Sequence, residues 1–492
     1  MTALSFKECN DKGLYEFSLE NYTQSVKFFK KSLLLNKNQP ETYFCLGLAF
    51  EKLNLPHEAL DAYANAVKLK KNYVDALYNS GILLHDLRVY NRALAAFEDA
   101  LKIEYSAQIL NNKGLVLKDL RLFNEALETF EDALKVDTEL LEVRCEIADT
   151  YKQMGAISLA IDSYLDLINI KPEYFYAYFS LSLIYLSNKN FEKGWQYNRH
   201  KFFIANLFDA YPNSSKPIWN GIEEGVILIR SEQGLGDNIL FSSLLNDIDR
   251  KNKEFCIAVD ERLLSLFKRS FKPFEFVNIK TTISELNYLY QLPFSFLGGV
   301  YRNTVSSFCL QPKKFLHADE ALTNQLKLQL EEEGKYICGI AWKSKNEDFG
   351  QDKSVTLESL LPILKLPHMT FVNLQYGDTK EEIEALNKTY GIQIKTIDEI
   401  DNFNDIDGLA SLIDACDFVV TTSNVTVHLA GGLGKETYLM VPYAHGRVWY
   451  WHEGDTQSIW YPSVNIHKQS NFDNWSKPID EIAHILENKK IK

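Results

Sequence analysis

The sequence predicts an all-helical repeat region followed by an α/β region built on parallel sheets. Small residues recur every 33 or 34 positions through about the first two hundred residues. From about residue 217, short apolar segments alternate with helical ones, a pattern typical of parallel strands joined by helices. The length of 492 residues is too great for one hydrophobic core and indicates about three domains.

The repeating unit is defined by small and aromatic residues at fixed spacing. The first small position is occupied in turn by Gly13, Gly47, Gly81, Gly114, Ala148 and Ser182. Twelve residues further on stand Ser25, Ala59, Ala93, Ala126, Ala160 and Gly194. Four residues later there is an aromatic ring in five units, namely Phe29, Tyr63, Phe97, Phe130 and Tyr164. The small residues suit the close crossing of the two helices of a unit. The ring fills the space between that unit and the next, so we expect these rings to be repeat core.

A helical hairpin of this kind cannot bury its apolar face alone, so the units must stack into a solenoid with a concave groove. We predict this solenoid over residues 1–203. Its sixth unit is degenerate, and we expect residues 188–203 to cap the solenoid and dock it onto the next region of the chain. The pattern over residues 6–200 resembles the tetratricopeptide repeat. The resemblance implies a groove that binds an extended peptide or a protein surface, so we expect a protein partner.

The remaining chain predicts two series of strands. The first series comprises residues 226–230, 255–259, 274–277 and, more weakly, 288–293. The second comprises residues 336–342, 370–375, 392–397, 417–422 and 436–442. An acidic helical stretch at 321–335 separates them and is the predicted hinge. We therefore predict two Rossmann-like domains, at 216–320 and 330–485.

The segment SEQGLGDNILFSSLL at 231–245 directly follows the first strand. Gly234 and Gly236 form a turn like those that bind phosphate, but Ile239 replaces the third glycine of the dinucleotide fingerprint. Asp237 at the helix entrance would repel a phosphate. It is either a helix N-cap or a functional carboxylate.

A second turn, at 416–434, offers hydroxyl and amide groups at a helix start. Thr422, Ser423 and Asn424 stand where unpaired backbone N–H groups readily bind phosphate or pyrophosphate. Asn424 is alternatively a plain N-cap, and His428 is alternatively a hydrogen-bonded core histidine.

Two further segments belong to the same half. Lys343, Lys345 and Lys353 follow a strand, and one of them facing the phosphate turn would neutralise pyrophosphate. The aromatic segment at 443–463 suits stacking on a sugar or a base, or packing against the other domain.

Six blocks in order resemble the heptosyltransferase-like glycosyltransferases that occur fused behind tetratricopeptide repeats in bacteria. They are PIWNG at 217–221 and the stretches at 231–245, 341–357, 407–435, 459–463 and 467–469. The resemblance implies the GT-B fold, in which two Rossmann-like domains face a cleft. It further implies inverting sugar transfer from a nucleotide sugar, with no metal and no cofactor.

The same resemblance implies roles for individual residues. Asp237 matches the proposed general base in the glycine turn. The donor-binding set comprises Lys353, Thr422, Ser423, Asn424, His428, Gly431 and Trp451. Two positions depart from the family: Ser423-Asn424-Val425 replaces a common D-T-A, and Tyr450 replaces an arginine between Trp449 and Trp451.

Charge, apolar segments and cysteine spacing argue against nucleic acid as a partner, against a membrane span and against an oxidising compartment. The formal net charge of −13 argues against nucleic-acid binding, which normally requires a basic face. No stretch is long and apolar enough to span a bilayer. The seven cysteines are dispersed without C-x-x-C spacing, which indicates reduced thiols. We therefore expect a cytoplasmic protein with no membrane span.

Three functions remain open at this point. The first is a glycosyltransferase that moves a sugar from a nucleotide sugar to a protein acceptor recruited by the repeats. The second is a protein-interaction scaffold whose transferase half is degenerate. The third is a protein O-linked N-acetylglucosamine transferase, which also joins such repeats to a GT-B catalyst. The sequence does not name the donor, the acceptor or the oligomeric state.

Overall fold

A computed structural model describes residues 4–204, 214–232, 234–281, 283–345, 350–444, 446–472 and 474–489. Gln233 of the glycine turn, residues 346–349 of the lysine loop and His445 of the aromatic segment lie outside the described residues. The chain divides into two compact units, Met1–Ile170 and Lys171–Lys492.

The described part of the first unit folds into five helical hairpins. Their helices are α1 (Phe6–Ser18), α2 (Tyr22–Leu35), α3 (Pro40–Lys52), α4 (Pro56–Leu69), α5 (Val74–Asp86), α6 (Tyr90–Leu101), α7 (Ala107–Asp119), α8 (Phe123–Val136), α9 (Leu141–Met154) and α10 (Ile157–Ile170). Each hairpin packs on the next through its neighbouring helices. The predicted helical solenoid is confirmed.

In the first four hairpins the glycine lies against the aromatic ring of the same hairpin. A Cβ atom built on Gly81 would lie 2.6 Å from Cε1 of Phe97, and one on Gly114 would lie 2.4 Å from Cε1 of Phe130. Both rings are fully buried. The first helix of these hairpins therefore approaches the second so closely that a side chain larger than hydrogen would displace the ring.

The first helix of every hairpin ends in the same way. A residue one or two positions after the helix adopts a left-handed conformation, with φ between 56° and 79°. These residues are Glu20, Asn54, Arg88, Arg121, Gly155 and Lys189. The next backbone N–H then bonds a carbonyl five residues back, as in Asn21 to Glu16 at 2.9 Å and Asn190 to Tyr185 at 2.8 Å. This is the Schellman motif. Only one of these six left-handed positions holds glycine, so the residue types there do not reveal the motif.

The sixth hairpin, α11 (Phe175–Ser187) and α12 (Phe191–Asn198), belongs to the second unit. The predicted solenoid extended to residue 203, whereas the compact division falls at Ile170. The reason is the packing of Trp195, which is 4% exposed. Its indole N–H donates to the carbonyl of Arg302 at 2.8 Å, and a Cβ on Gly298 would lie 2.4 Å from its ring. The hairpin thus docks onto the α/β region, as expected for the degenerate unit.

The second unit contains two fully parallel sheets in its described part. The first has the order β3-β2-β1-β4, with β1 (Gly225–Arg230), β2 (Lys253–Val259), β3 (Glu275–Asn278) and β4 (Tyr290–Pro293). Its helices are α13 (Leu235–Ser242), α14 (Leu264–Ser270) and α15 (Leu297–Tyr301). Strand β1 is buried by Ile227, Leu228 and Ile229, all fully inaccessible, as the apolar run predicts.

The second sheet has the order β10-β9-β8-β5-β6-β7. Its strands are β5 (Tyr336–Ala341), β6 (Met369–Asn373), β7 (Ile394–Lys395), β8 (Phe418–Thr422), β9 (Glu436–Val441) and β10 (Val464–Lys468). Its helices are α16 (Glu320–Leu330), α17 (Leu361–Leu364), α18 (Lys380–Tyr390), α19 (Ile406–Ala415), α20 (Val425–Gly432) and α21 (Ser476–Glu487). The predicted parallel sheets are confirmed.

Two strands differ from the prediction. The segment predicted at 392–397 pairs over only Ile394–Lys395, at the sheet edge. Strand β10 was not predicted, because its sequence VNIHK carries only two apolar residues and is half-exposed at the opposite edge. Within the described residues, no helix combines the length and apolar character that crossing a membrane requires.

The glycine–ring contact gives a first prediction. Gly81→Ala should lower the free energy of unfolding of the repeat unit by about 1–3 kcal/mol, because the new methyl group overpacks Phe97. Urea denaturation followed by helical circular dichroism measures the loss. In Gly81→Ala/Phe97→Leu the smaller side chain makes room, so the two losses should be less than additive. Strict additivity would show that the contact does not limit this crossing.

Candidate functional site

The candidate residues lie at the carboxyl ends of strands where the strand order reverses. In the first sheet, β1 lies between β2 and β4, and the glycine turn follows β1. In the second sheet, β5 lies between β8 and β6. Lys353 follows β5, and Thr422, Ser423 and Asn424 end β8 or follow it. Ligands in open parallel sheets bind at such switch points.

The two glycines of the turn have different environments. Gly234 is the N-cap of α13, with φ −58°, and a Cβ atom there would meet nothing within 4 Å. A Cβ atom on Gly236 would lie 2.7 Å from Cδ2 and 2.9 Å from Nε2 of His428. Gly236 therefore gives close approach between α13 of the first sheet and α20 of the second.

Asp237 is not the helix N-cap, so that alternative is wrong. Gly234 occupies the cap position, and the carboxylate belongs to the third residue of α13, whose backbone N–H bonds the Gly234 carbonyl at 3.1 Å. Burial raises the pKa of the Asp237 carboxyl to about 6, against the opposing effect of the Lys201 and Lys353 ammonium groups. The negative charge of Glu232 adds to the increase.

Among the three candidate lysines, Lys353 approaches Asp237. It is buried, and burial lowers the pKa of its ammonium to about 8, while the nearby Asp237 carboxylate acts in the opposite direction. Lys343 instead pairs with Glu382, at 2.6 Å between Nζ and Oε2. Lys345 lies over the rings of Tyr376 and Phe403, with Nζ 5.9 and 5.6 Å from their centroids.

Some side chains at the turn before α20 are hydrogen-bonded within the protein, and two threonine hydroxyls there are not. Asn424 is the N-cap: its Oδ1 accepts from the backbone N–H of Thr426 at 2.9 Å, which confirms the capping alternative. The Ser423 hydroxyl accepts from the indole N–H of Trp451 at 2.9 Å, and both side chains are buried. The hydroxyls of Thr422 and Thr426 are buried without a hydrogen-bond partner in the described structure. Such unpaired groups are rare in folded proteins.

His428 has the environment of a hydrogen-bonded core histidine. Nδ1 lies 2.8 Å from the Tyr461 hydroxyl and Nε2 lies 3.2 Å from the Tyr450 hydroxyl. Burial, assisted by the charge of Lys353, lowers the pKa of its imidazole to about 3. The ring is therefore neutral, with one nitrogen donating to a tyrosine and the other accepting. Tyr450 and Tyr461 hold this ring in place through these two hydrogen bonds.

Gly431 lies near the far end of α20 from Asn424. A Cβ atom on it would lie 2.5 Å from the ring of Tyr461. Packing accounts for this glycine, and its place in the helix is remote from the N-terminal turn where a phosphate would bind.

Sequence reasoning missed a buried ion pair beside Asp237. Lys201, just after α12, pairs with Glu232 of the glycine turn, and each side chain is 4% exposed. Ser295, after β4, donates to Glu232 through its backbone N–H at 2.9 Å and its hydroxyl at 2.7 Å. One signal was available: Glu232 follows a buried strand, where an acidic residue needs a partner.

The contact between Gly236 and His428 gives a second prediction. Gly236→Ala should lower the free energy of unfolding of the second unit by about 1–3 kcal/mol, because the methyl group meets the imidazole. The matched control, Gly234→Ala, places the same methyl group in open space and should cost at most about 1 kcal/mol, through poorer capping. Equal losses in chemical denaturation would contradict the assignment.

The neutral imidazole gives a third prediction. The pKa of His428 is about 3 in the folded chain and about 6.5 when unfolded, so the unfolded chain binds the proton first as pH falls. Stability from this group is therefore complete above about pH 6.5 and declines towards about pH 3. The difference in unfolding free energy between wild type and His428→Asn should shrink by about 1.4 kcal/mol per pH unit below about 6.5. Urea denaturation between about pH 5 and 8 measures it, and a pH-independent difference would count against a buried neutral ring.

Comparisons with known proteins match parts of the chain. Family models described as tetratricopeptide repeat match residues 45–109, 107–139 and 141–174. Protein FlbA of Caulobacter vibrioides is 30% identical over 333 residues, which are 63% of this chain and 54% of that protein. The chain spans about half the length of this curated relative.

Solved structures match about a third of the chain. One of MamA is 20% identical, covering 33% of this chain and 97% of its own, with a TM-score of 0.31. MamA from Desulfovibrio magneticus RS-1 is 16% identical, covering 35% and 99%, with a TM-score of 0.33. YrrB, described as a TPR protein with an unusual peptide-binding site, is 20% identical, covering 37% and 94%, with a TM-score of 0.31.

The family matches coincide with hairpins whose crossings and helix ends repeat from unit to unit. Repeats of this kind present extended concave surfaces for binding. The N-terminal region of the chain therefore consists of tetratricopeptide repeats, which indicate a function in protein interaction.

Proposed function

We propose that the chain is a glycosyltransferase that moves a sugar from a nucleotide sugar to a hydroxyl of a protein bound by the repeats. The observation that carries this proposal is the meeting of Asp237 and Lys353. The two side chains follow strands of different parallel sheets, each at a switch point, and their charges interact. Perturbed titratable groups gathered at such a place are candidates for catalysis. The GT-B fold implied by the family resemblance would have the same arrangement.

Asp237 has the properties that a general base requires. With a pKa of about 6, its carboxyl is ionised at neutral pH yet basic enough to accept a proton efficiently. In the proposed reaction the acceptor hydroxyl oxygen attacks the anomeric carbon, and its proton passes to Asp237. The bond from that carbon to the diphosphate oxygen breaks, and the leaving group keeps the electron pair. Attack from the opposite side inverts the configuration.

Lys353 would stabilise the leaving group. Its ammonium is buried and has a lowered pKa, so an anion beside it would restore the stabilisation lost on burial. The unpaired Thr422 hydroxyl and the N-terminus of α20 supply further donors nearby. The Ser423 hydroxyl oxygen accepts from Trp451, so its own O–H group is left to donate to the phosphate.

Calorimetric titration tests the proposal. The full chain would be titrated with UDP, GDP, ADP, CMP and a panel of their sugar conjugates. One nucleotide family should bind, and Lys353→Ala should weaken it about 10–100-fold through loss of a charge-assisted hydrogen bond. Thr422→Val should weaken it several-fold. Asp237→Asn should keep binding and lower turnover about 10²–10⁴-fold, the contribution typical of a general base.

Thr370→Val is the matched control for Thr422→Val. Both threonines are buried strand residues of the second sheet with unpaired hydroxyls, but Thr370 lies near the amino end of β6. Its variant should bind the nucleotide as wild type does. Equal weakening in both variants would show a general loss of stability and would remove Thr422 from the site. Binding confined to UDP-N-acetylglucosamine, with its transfer to protein, would favour the O-linked N-acetylglucosamine transferase.

A second candidate, the protein-interaction scaffold, also has an observation in its favour. Asn424 and His428 use their polar atoms within the protein, and the Ser423 oxygen accepts from Trp451. If no nucleotide binds across the panel, the enzyme proposal fails and this candidate stands.

A further inference from the structure

The sixth hairpin contributes a charged side chain to the glycine turn. Lys201 lies in the short helical segment Arg199–Phe203 that follows α12. Its ammonium pairs with Glu232 and lies 2.5 Å from the Ser295 hydroxyl. Three segments that are distant in sequence thus meet at one buried cluster.

This cluster is too buried to act as an ordinary surface ion pair. Both charged side chains are 4% exposed, and Ser295 is 5% exposed. Burying two charges requires good geometry and additional hydrogen bonds. Glu232 has both, since it accepts from the backbone N–H and the hydroxyl of Ser295. The ion pair and these two hydrogen bonds therefore hold the Glu232 carboxylate in one position just after β1.

The charged and titratable groups facing Asp237 come from every element packed around it. Lys201 and Glu232 act on its carboxyl from the hairpin and from its own turn, and Lys353 acts from the loop after β5. Tyr450 and Tyr461 experience the charge of Asp237 from the aromatic segment. His428, from α20, is neutral. Within this group the two partners of the ion pair act on Asp237 with opposite sign.

We propose that Lys201 is a positioning residue, which holds the Glu232 carboxylate and sets the protonation state of Asp237. The hairpin at 171–203 then contributes a side chain to the site. The catalytic consequence rests on the function proposed above, whereas the electrostatic effect does not. Loss of Lys201 leaves the charge of Glu232 without its counterion, which favours the protonated form of Asp237. Loss of the Glu232 charge leaves Lys201 unopposed, which favours the carboxylate.

Titration of Asp237 by carbon-13 NMR of the full chain, labelled at aspartate carboxyl carbons, tests the proposal. Comparison with Asp237→Asn assigns the resonance. In Lys201→Met the pKa of Asp237 should rise by about one unit, and in Glu232→Gln it should fall by about one unit. The double variant carries neither charge and should lie between them. Lys193→Met makes the same change at an exposed lysine of the same hairpin and should leave the pKa unchanged.

The opposite directions separate electrostatics from damage, because both single variants break the same ion pair. Shifts of equal sign, or none in either folded variant, would overturn the proposal. If the enzyme is active, the acidic limb of its pH–rate profile should move with the NMR values. If the NMR shifts are found while no turnover or nucleotide binding is detected, the electrostatic inference holds and the glycosyltransferase proposal fails.

Discussion

The contact of the Gly236 backbone with the imidazole of His428 sets the distance between the two α/β halves at the candidate site. A side chain at position 236 would lie 2.7 Å from the ring, so hydrogen is the largest substituent that permits this approach. The next residue is Asp237, and its position therefore follows from the same contact. The charge of Lys353, from the loop after β5, acts on this carboxylate.

Burial of the side chains around this contact is the main cause of their shifted pKa values. Burial favours the neutral imidazole of His428 and keeps the Tyr450 and Tyr461 hydroxyls protonated, with pKa values well above the usual range. Asp237 and Lys353 are each shifted by burial towards the neutral form but retain each other as partners. A water-excluding environment strengthens such pairs and also the attraction of Lys353 for any incoming anion.

Local patterns predicted much of the fold, and distant contacts explain the remainder. The repeats were readable because Gly81 and Phe97 belong to one hairpin, so their meeting appears as a fixed spacing. Strand β1 was readable from its uninterrupted apolar run.

The site was less predictable, because its contacts join segments far apart in sequence. Lys353 was selected from three lysines by family resemblance, since no local signal separates it from Lys343. Lys201 was not found, because its partner Glu232 belongs to a distant segment and neither residue is part of a periodic pattern. The sequence also allows Asp237 to be the N-cap of α13, because local sequence defines a helix start only to within a few residues.

The positions of Trp195 and Lys201 decide where the chain can be divided into fragments. Both precede residue 204, where the repeats end if only the periodicity is considered. A fragment that began there would lack the indole ring that packs on Gly298. Its buried Glu232 carboxylate would also lack the Lys201 ammonium with which it pairs. Cutting after Ile170 instead keeps the ring in its slot and the carboxylate with its cation. The boundary between the two compact units therefore lies one hairpin earlier than the repeat pattern suggests.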